Sequence, residues 1–204
     1  PAPRAAVGYL TGALLGALVA GGIGPAAGQD VDEAVRVADA AAVRLGPDGT
    51  DPNPALALAR TIGARVPVVW GSEGIAEAAA RRWKTEFNEN AKRPAFAAAF
   101  PELDHNEIEG WSRGAGRDFF LVILRSSSEH PSVGPRVEAT LSAVSDAGFE
   151  HHEVHAEGVL PLAQMVSLMQ TGGFVSCYAG LEAGVDPSPI ERIEAMKSRL
   201  RDLE

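Results

Sequence analysis

Cysteine is almost missing from this chain: Cys177 is the only one among 204 residues. A single thiol cannot form an internal disulfide and cannot build a zinc site from paired cysteines. A reducing, cytoplasmic setting is therefore expected. Basic charge is short as well. Eighteen Lys and Arg stand against 27 Asp and Glu, a formal net charge of -9. Nucleic acid and anionic membranes are bound mainly by clustered Lys and Arg, so neither is expected as a partner. An anionic ligand would have to be held by a local cluster of cations. Charge of either sign is absent from Ala5 to Gln29, which superficially suggests a signal peptide or a membrane span. Six glycines between Gly8 and Gly24 lower the hydropathy of that stretch, and Leu10, Leu14 and Leu18 recur every fourth residue. That spacing predicts the buried stripe of a soluble helix instead. There is no initiator Met, and the chain is expected to begin after processing or, more plausibly, inside a longer protein.

What is present organises into helices and short apolar runs. A chain of this length can bury roughly 70% of the surface its unfolded form exposes, enough for one full core. Helices are predicted over about Val7–Ala20, Val31–Leu45 (with Val31, Val35, Val43 and alanines on one face) and Pro54–Gly63, the last with proline in the first turn. Val66-Pro67-Val68-Val69-Trp70 reads as a strand, a tight turn follows at Gly71-Ser72-Glu73-Gly74, and a long helix runs to about Glu89. Phe119–Leu124 has the unbroken apolar character of a fully buried strand, with a helix after it from about Pro131 to Ala147. Glu150–Val154 is a third strand. Residues 95–100 fit either a fourth strand or a short helical piece. Helices over about Pro161–Leu181 and Pro189–Leu203 finish the chain. Strands separated by helices imply a three-layer α/β fold with a parallel sheet, whose ligands would collect at the strand carboxyl ends.

Two clusters carry possible acid/base chemistry. Glu89 lies in Asn88-Glu89-Asn90-Ala91-Lys92, and His105 follows sixteen residues later in Asp104-His105-Asn106-Glu107. On residue chemistry alone the two are expected near one place: a carboxylate held at a helix end as general base, and an imidazole able to pass protons either way. Lys92 would contact Glu89 or a substrate oxygen, and Arg81, Arg82, Lys84 and Arg93 join it in one dense basic patch, which reads equally as a solvated helix end. Gly71-Ser72-Glu73-Gly74 could cradle a phosphate, with Ser72 as a contact, but it matches neither a Walker loop nor a dinucleotide fingerprint, and a plain turn is the simpler reading. Ser126-Ser127-Ser128 poses the same choice between a cradle and a helix cap. His151, His152 and His155 could hold a metal on alternate strand positions, without the Cys or carboxylate partners a zinc site usually recruits.

The runs Val66–Ser72, Ala79–Lys84, Asn88–Phe96 and Phe100–Ile108, with Pro3-Arg4 before the first helix and Val185–Pro189 before the last, resemble the bifunctional phosphoglucose/phosphomannose isomerases. These belong to the phosphoglucose isomerase superfamily built from sugar isomerase (SIS) domains. The resemblance implies aldose–ketose isomerisation of a hexose 6-phosphate through an enediol, with no metal or organic cofactor. It implies Glu89 as the base moving the proton between C2 and C1, and His105 as the ring-opening histidine that reaches over from a partner subunit in a homodimer. Lys197 would assist ring opening and Arg4 would steady the enediolate. Ser72, Asn88 and Lys92 are the candidate substrate-binding residues. On the same grounds residues 1–53 would be a helical interdomain segment and 54–204 the carboxy-terminal SIS-like domain. Two departures stand out. Asp104 replaces the asparagine common in the family's Asn-His-Asn-Glu run and adds a negative charge beside the histidine. No Ser/Thr-rich phosphate loop of the Ser-x-Ser-Gly-x-Thr kind occurs in the chain. The alternative is thus a non-catalytic sugar-phosphate-binding module that keeps the fold and part of the site.

Overall fold

Four parallel strands form one sheet in the order β2-β1-β3-β4 in the computed structural model, which describes residues 3–23, 28–49 and 51–203. The strands are β1 (Val66–Ser72), β2 (Phe96–Phe100), β3 (Phe119–Arg125) and β4 (Glu150–His155). Parallel pairing requires crossovers, and the helices supply them. They are α1 (Val7–Ala20), α2 (Gly28–Leu45), α3 (Pro54–Ile62), α4 (Ile75–Asn90), the single turn α5 (Glu107–Gly110), α6 (Val133–Ala143), α7 (Pro161–Glu182) and α8 (Glu191–Arg201). Residues 96–100 are thereby settled as a strand: Phe96 to Phe100 pair in register with Val68 to Ser72.

The period-two alternation of β1 and β3 separates two cores. Val69, Phe120, Val122 and Leu124 face a layer made by α2, α3, α4 and α7, where Trp83, Phe87, Leu168 and Val175 are buried. Val68, Trp70, Leu121 and Ile123 face the other way, onto Phe100, Leu103, Val137 and Val144. The expected three-layer α/β arrangement is what the chain adopts. Along the long helix α7, which packs on α2, α3 and α4, small residues let the backbone come close. At Gly172 an added Cβ would stand 2.4 Å from the Trp83 ring.

One amide ties three helices together. Asn53 caps α3 by accepting from the Ala55 and Leu56 amides at 3.0 and 3.2 Å, and its Nδ2 donates to the Leu45 and Gly46 carbonyls at the end of α2, each at 3.0 Å. The same Nδ2 approaches the Tyr178 hydroxyl of α7, which donates to the Leu45 carbonyl at 2.7 Å. Pro54 occupies the first turn, where a missing N–H costs nothing.

Two expectations for the amino-terminal helices are corrected. Leu10 and Leu14 are 66% and 62% exposed, and α1 buries no residue. Their spacing gives a stripe, but none of it is buried among the described residues, and only Leu18 is half-covered. The flank of that stripe, with Val7, Thr11 and Leu15, borders a cavity. In α2 the inward residues are Ala34, Ala41 and Leu45, whereas Val35 and Val43 are exposed. Short side chains let α2 lie close on α7, and the valines are left outside. No helix among the described residues is long and apolar enough to cross a membrane. The glycine-rich break expected after α1 falls partly at Gly24, outside the described residues.

Candidate active site

Glu89 lies by the amino ends of the strands and His105 beyond their carboxyl ends. The helix α4 leaves the carboxyl end of β1 and runs back alongside it, so its last turn lies by the start of that strand: Arg93 donates to the carbonyls of Gly63 and Arg65, at 2.5 and 3.2 Å. β2 then carries the chain forward again by about 16 Å to Phe100, level with Ser72. His105 follows in a short helical turn, Glu102–His105. Within one chain the two groups therefore do not converge, contrary to the reading from residue chemistry alone. The separation is a necessity of the parallel crossover, since a helix and a strand of similar length must intervene.

What does converge on Glu89 is Arg4. The guanidinium Nη1 lies 3.6 Å from Glu89 Oε2, with the Arg4 side chain 13% exposed and that of Glu89 33%. Nη2 of the same guanidinium donates to the carbonyls of Pro187 and Ser188 at 2.8 and 2.9 Å. Two distant segments are thus pinned to the end of α4. Lys92, in the left-handed region with φ 53°, turns its ammonium back onto the Glu89 carbonyl and to that of Pro187 at 3.1 Å. Its charge is placed one carbonyl away from the Glu89 carboxylate. Asn88 faces the other way and donates to the Arg93 carbonyl at 2.9 Å, closing the helix end.

Beneath this cluster lies a second carboxylate. Glu86, one turn before Glu89, is buried and accepts from Arg82 at 2.6 Å. Burial pushes its carboxyl above the ordinary value, against the pull of Arg82. Arg82 also donates to the Arg4 main-chain carbonyl. These links passed unnoticed in the sequence, although Arg82 and Glu86 at i, i+4 are the signal that could have raised them.

Beyond the carboxyl ends of the strands, His105 is exposed and its ring makes no hydrogen bond among the described residues. Its turn is nevertheless rigidly held. Asp104 accepts from Arg136 at 2.8 Å and from Thr140 at 2.7 Å on α6, so its extra negative charge is directed at Arg136 and away from the histidine. Asn106 caps α5, and Glu107 accepts from the Trp70 indole at 2.8 Å. His105 is left as the free group at the tip of a braced loop.

The candidate phosphate cradles are otherwise engaged. The turn after β1 is tight for steric reasons: a Cβ at Gly71 would meet the Ala76 carbonyl at 2.4 Å. Ser72 is buried at that turn, at the end of β1 away from Glu89. In the serine run the Ser127 amide and the Ser126 hydroxyl both donate to buried Gln164 of α7, at 3.0 and 2.6 Å, while the Ser128 amide donates to Ser126. The run closes the β3 loop on α7. Nor is there one basic patch: Arg81 pairs with Glu77, Arg82 with Glu86, and Arg93 serves main-chain carbonyls. Lys197 is exposed on α8, a helix with no buried residue, and no hydrogen bond or ion pair joins it to the Arg4–Glu89 pair among the described residues. His151, His152 and His155 lie exposed on β4, and no three metal-binding side chains gather among the described residues.

Comparison with known proteins accords with this architecture. A bifunctional phosphoglucose/phosphomannose isomerase of Caldicellulosiruptor bescii is 30% identical over 204 residues, which cover 98% of this chain and 60% of the relative. The corresponding protein of Aquifex aeolicus is 34% identical over 145 residues, 71% of this chain and 45% of its own. A glucose-6-phosphate isomerase-like protein of Thermus thermophilus superposes with a TM-score of 0.59 at 25% identity, covering 84% of this chain and 56% of that one. The chain thus spans at most about 60% of the length of these relatives. Residues 51–200, which hold the whole sheet together with Glu89 and His105, match the bacterial phospho-glucose isomerase C-terminal SIS domain, and the chain belongs to that family.

Proposed function

We propose that this chain is the carboxy-terminal part of an aldose–ketose isomerase that interconverts glucose 6-phosphate, mannose 6-phosphate or both with fructose 6-phosphate through an enediol. The observation that carries the reading is the Arg4 guanidinium held 3.6 Å from the Glu89 carboxylate. Moving a proton between C2 and C1 needs a fixed carboxylate and a cation close to the oxygen on which charge develops. Glu89 takes the proton from one carbon and returns it to the other. Arg4, anchored by its second nitrogen on Pro187 and Ser188, keeps Nη1 available for the enediolate oxygen.

Ring opening falls to His105 of a second copy of the chain. The placement of Glu89 and His105 at opposite ends of the strands supports this, because a site needing both groups can be completed only by another chain. A homodimer with shared sites follows from it. Lys197 would assist from α8, whose root is gripped by Arg4, and Asn88 and Lys92 shape the rim around Glu89. Residues 1–53 act as the connector and 54–204 as the isomerase domain, in a cytoplasmic enzyme. The sugar phosphate is anchored largely outside this chain, since the amides of the serine run are already taken.

In the full-length gene product, Glu89→Gln should lower turnover of both aldose phosphates by at least about 100-fold, the ordinary contribution of a general base. Unchanged turnover in a coupled isomerase assay would remove the base assignment. The occupied serine run favours one other reading, a non-catalytic sugar-phosphate-binding module. Wild-type protein that binds fructose 6-phosphate without converting it would establish that reading instead.

A further inference from the structure

We infer that Glu86 and Arg82 are positioning residues for the isomerase reaction, fixing Arg4 in its place against Glu89. The inference rests on the isomerase reading above and adds to it a second layer that holds the reacting groups. The connection is short. One nitrogen of Arg82, Nη2, reaches both Glu86 Oε1 at 2.6 Å and the main-chain carbonyl of Arg4. Arg4 is then held at its backbone by Arg82 and at its guanidinium by Pro187 and Ser188, which leaves Nη1 alone turned to Glu89. Arg4 stands in a single helical turn, Pro3–Ala5, and these clamps give its side chain its direction.

Glu86 is an unusual choice for a purely structural position. It is 8% exposed, and its Oε2 has no hydrogen-bond partner among the described residues. That oxygen lies against α7 where a Cβ on Gly173 would come within 3.2 Å. Together with Arg4 and Arg82 it lines one end of a cavity of about 710 Å³ with otherwise largely apolar walls. A buried acid with one oxygen unserved costs free energy that an apolar residue would avoid. The groups facing it are Arg82 and Glu89 on α4, Arg4 from the amino-terminal turn and Cys177 from α7, whose thiol burial pushes up. Two carboxylates one turn apart thus share two guanidiniums, and the ion pair of Glu86 with Arg82 leaves Arg4 to Glu89.

The test compares Glu86→Gln, Arg82→Gln and the double variant in the full-length gene product, with Glu89→Gln as reference. Arg4 faces charge that develops during the reaction, so misplacing it should act on kcat and spare KM. Each single change is expected to lower kcat about tenfold with KM within about twofold, and the double variant should fall no further than the worse single one, since both cut the same connection. Wild-type kcat in Glu86→Gln, or losses that multiply in the double variant, would overturn the inference while Glu89→Gln stays inactive. Full activity in Glu89→Gln would instead overturn the isomerase reading, and this one with it. Should Arg82→Gln fail to fold, Glu86→Gln, which keeps the size of the side chain and removes the charge that holds Arg82, decides through the split between kcat and KM.

Discussion

Replacing Gly172 by alanine would test the contact that holds α7 on α4 and hence keeps Arg82, Glu86 and Glu89 in register. The new Cβ would lie 2.4 Å from both Cδ1 and Nε1 of Trp83 and 2.6 Å from Cγ. The ring cannot turn aside freely, because Trp83 is fully buried and its indole donates to the Leu168 carbonyl at 2.7 Å. Overpacking of this kind costs about 1–3 kcal/mol, and contacts this short belong at the upper end. Loss or lengthening of the indole hydrogen bond adds about 1 kcal/mol. Alanine returns about 1 kcal/mol through its better helix propensity. The net expectation is a loss of about 3 kcal/mol, or roughly 6–12 °C in Tm for a chain of this size. Gly134→Ala on α6 is the control: its Cβ would meet only Arg125 Nη2, at an ordinary 3.5 Å, so that variant should melt at or above wild type. Paired thermal melts read both. If Gly172→Ala melts no lower than wild type, the Trp83 contact does not bear on α7 packing as described.

Burial raises the Glu86 carboxyl, so its stabilising contribution is complete below the carboxylate's unfolded value and is lost as pH rises through the raised folded value. Glu86→Gln escapes that loss; its Tm relative to wild type should therefore climb between pH 4 and pH 8, and a difference independent of pH would refute the burial argument. Asn53→Ala removes the α3 cap and the bonds to the end of α2. A loss of about 2 kcal/mol is expected from urea denaturation, and a change under about 0.5 kcal/mol would mean that water replaces the amide without penalty.

Much of the fold was legible because its signals are local. The β-branched run Val66–Val69 and the apolar run Phe119–Leu124 could only be buried strands, and Pro54, Gly63 and Gly74 bound helices whose ends fall within a few residues of expectation. The fate of α1 was not legible. A leucine every fourth residue specifies a stripe, but whether anything lies on it is a property of the rest of the chain. The same holds for the site. The residues Glu89 and His105 stood out by type and neighbours, yet their placement at opposite ends of the strands follows from the crossover and not from their short spacing in the chain. Arg4 could be suggested only by resemblance, since no spacing rule joins it to a glutamate 85 positions away. Asp104, read as a charge acting on His105, proved to be held by Arg136 and Thr140, a partnership set by α6 packing.

The Asn53 clamp has a consequence for the chemical ageing of the protein. An asparagine is ordinarily a weak point over time, because the following main-chain nitrogen can attack its side-chain amide, close a succinimide and leave aspartate behind. Here the following residue is Pro54, whose nitrogen carries no hydrogen, and the amide is held by Leu45, Gly46, Ala55 and Leu56. The proline that starts α3 thereby also shields from slow deamidation a side chain on which α2, α3 and α7 meet.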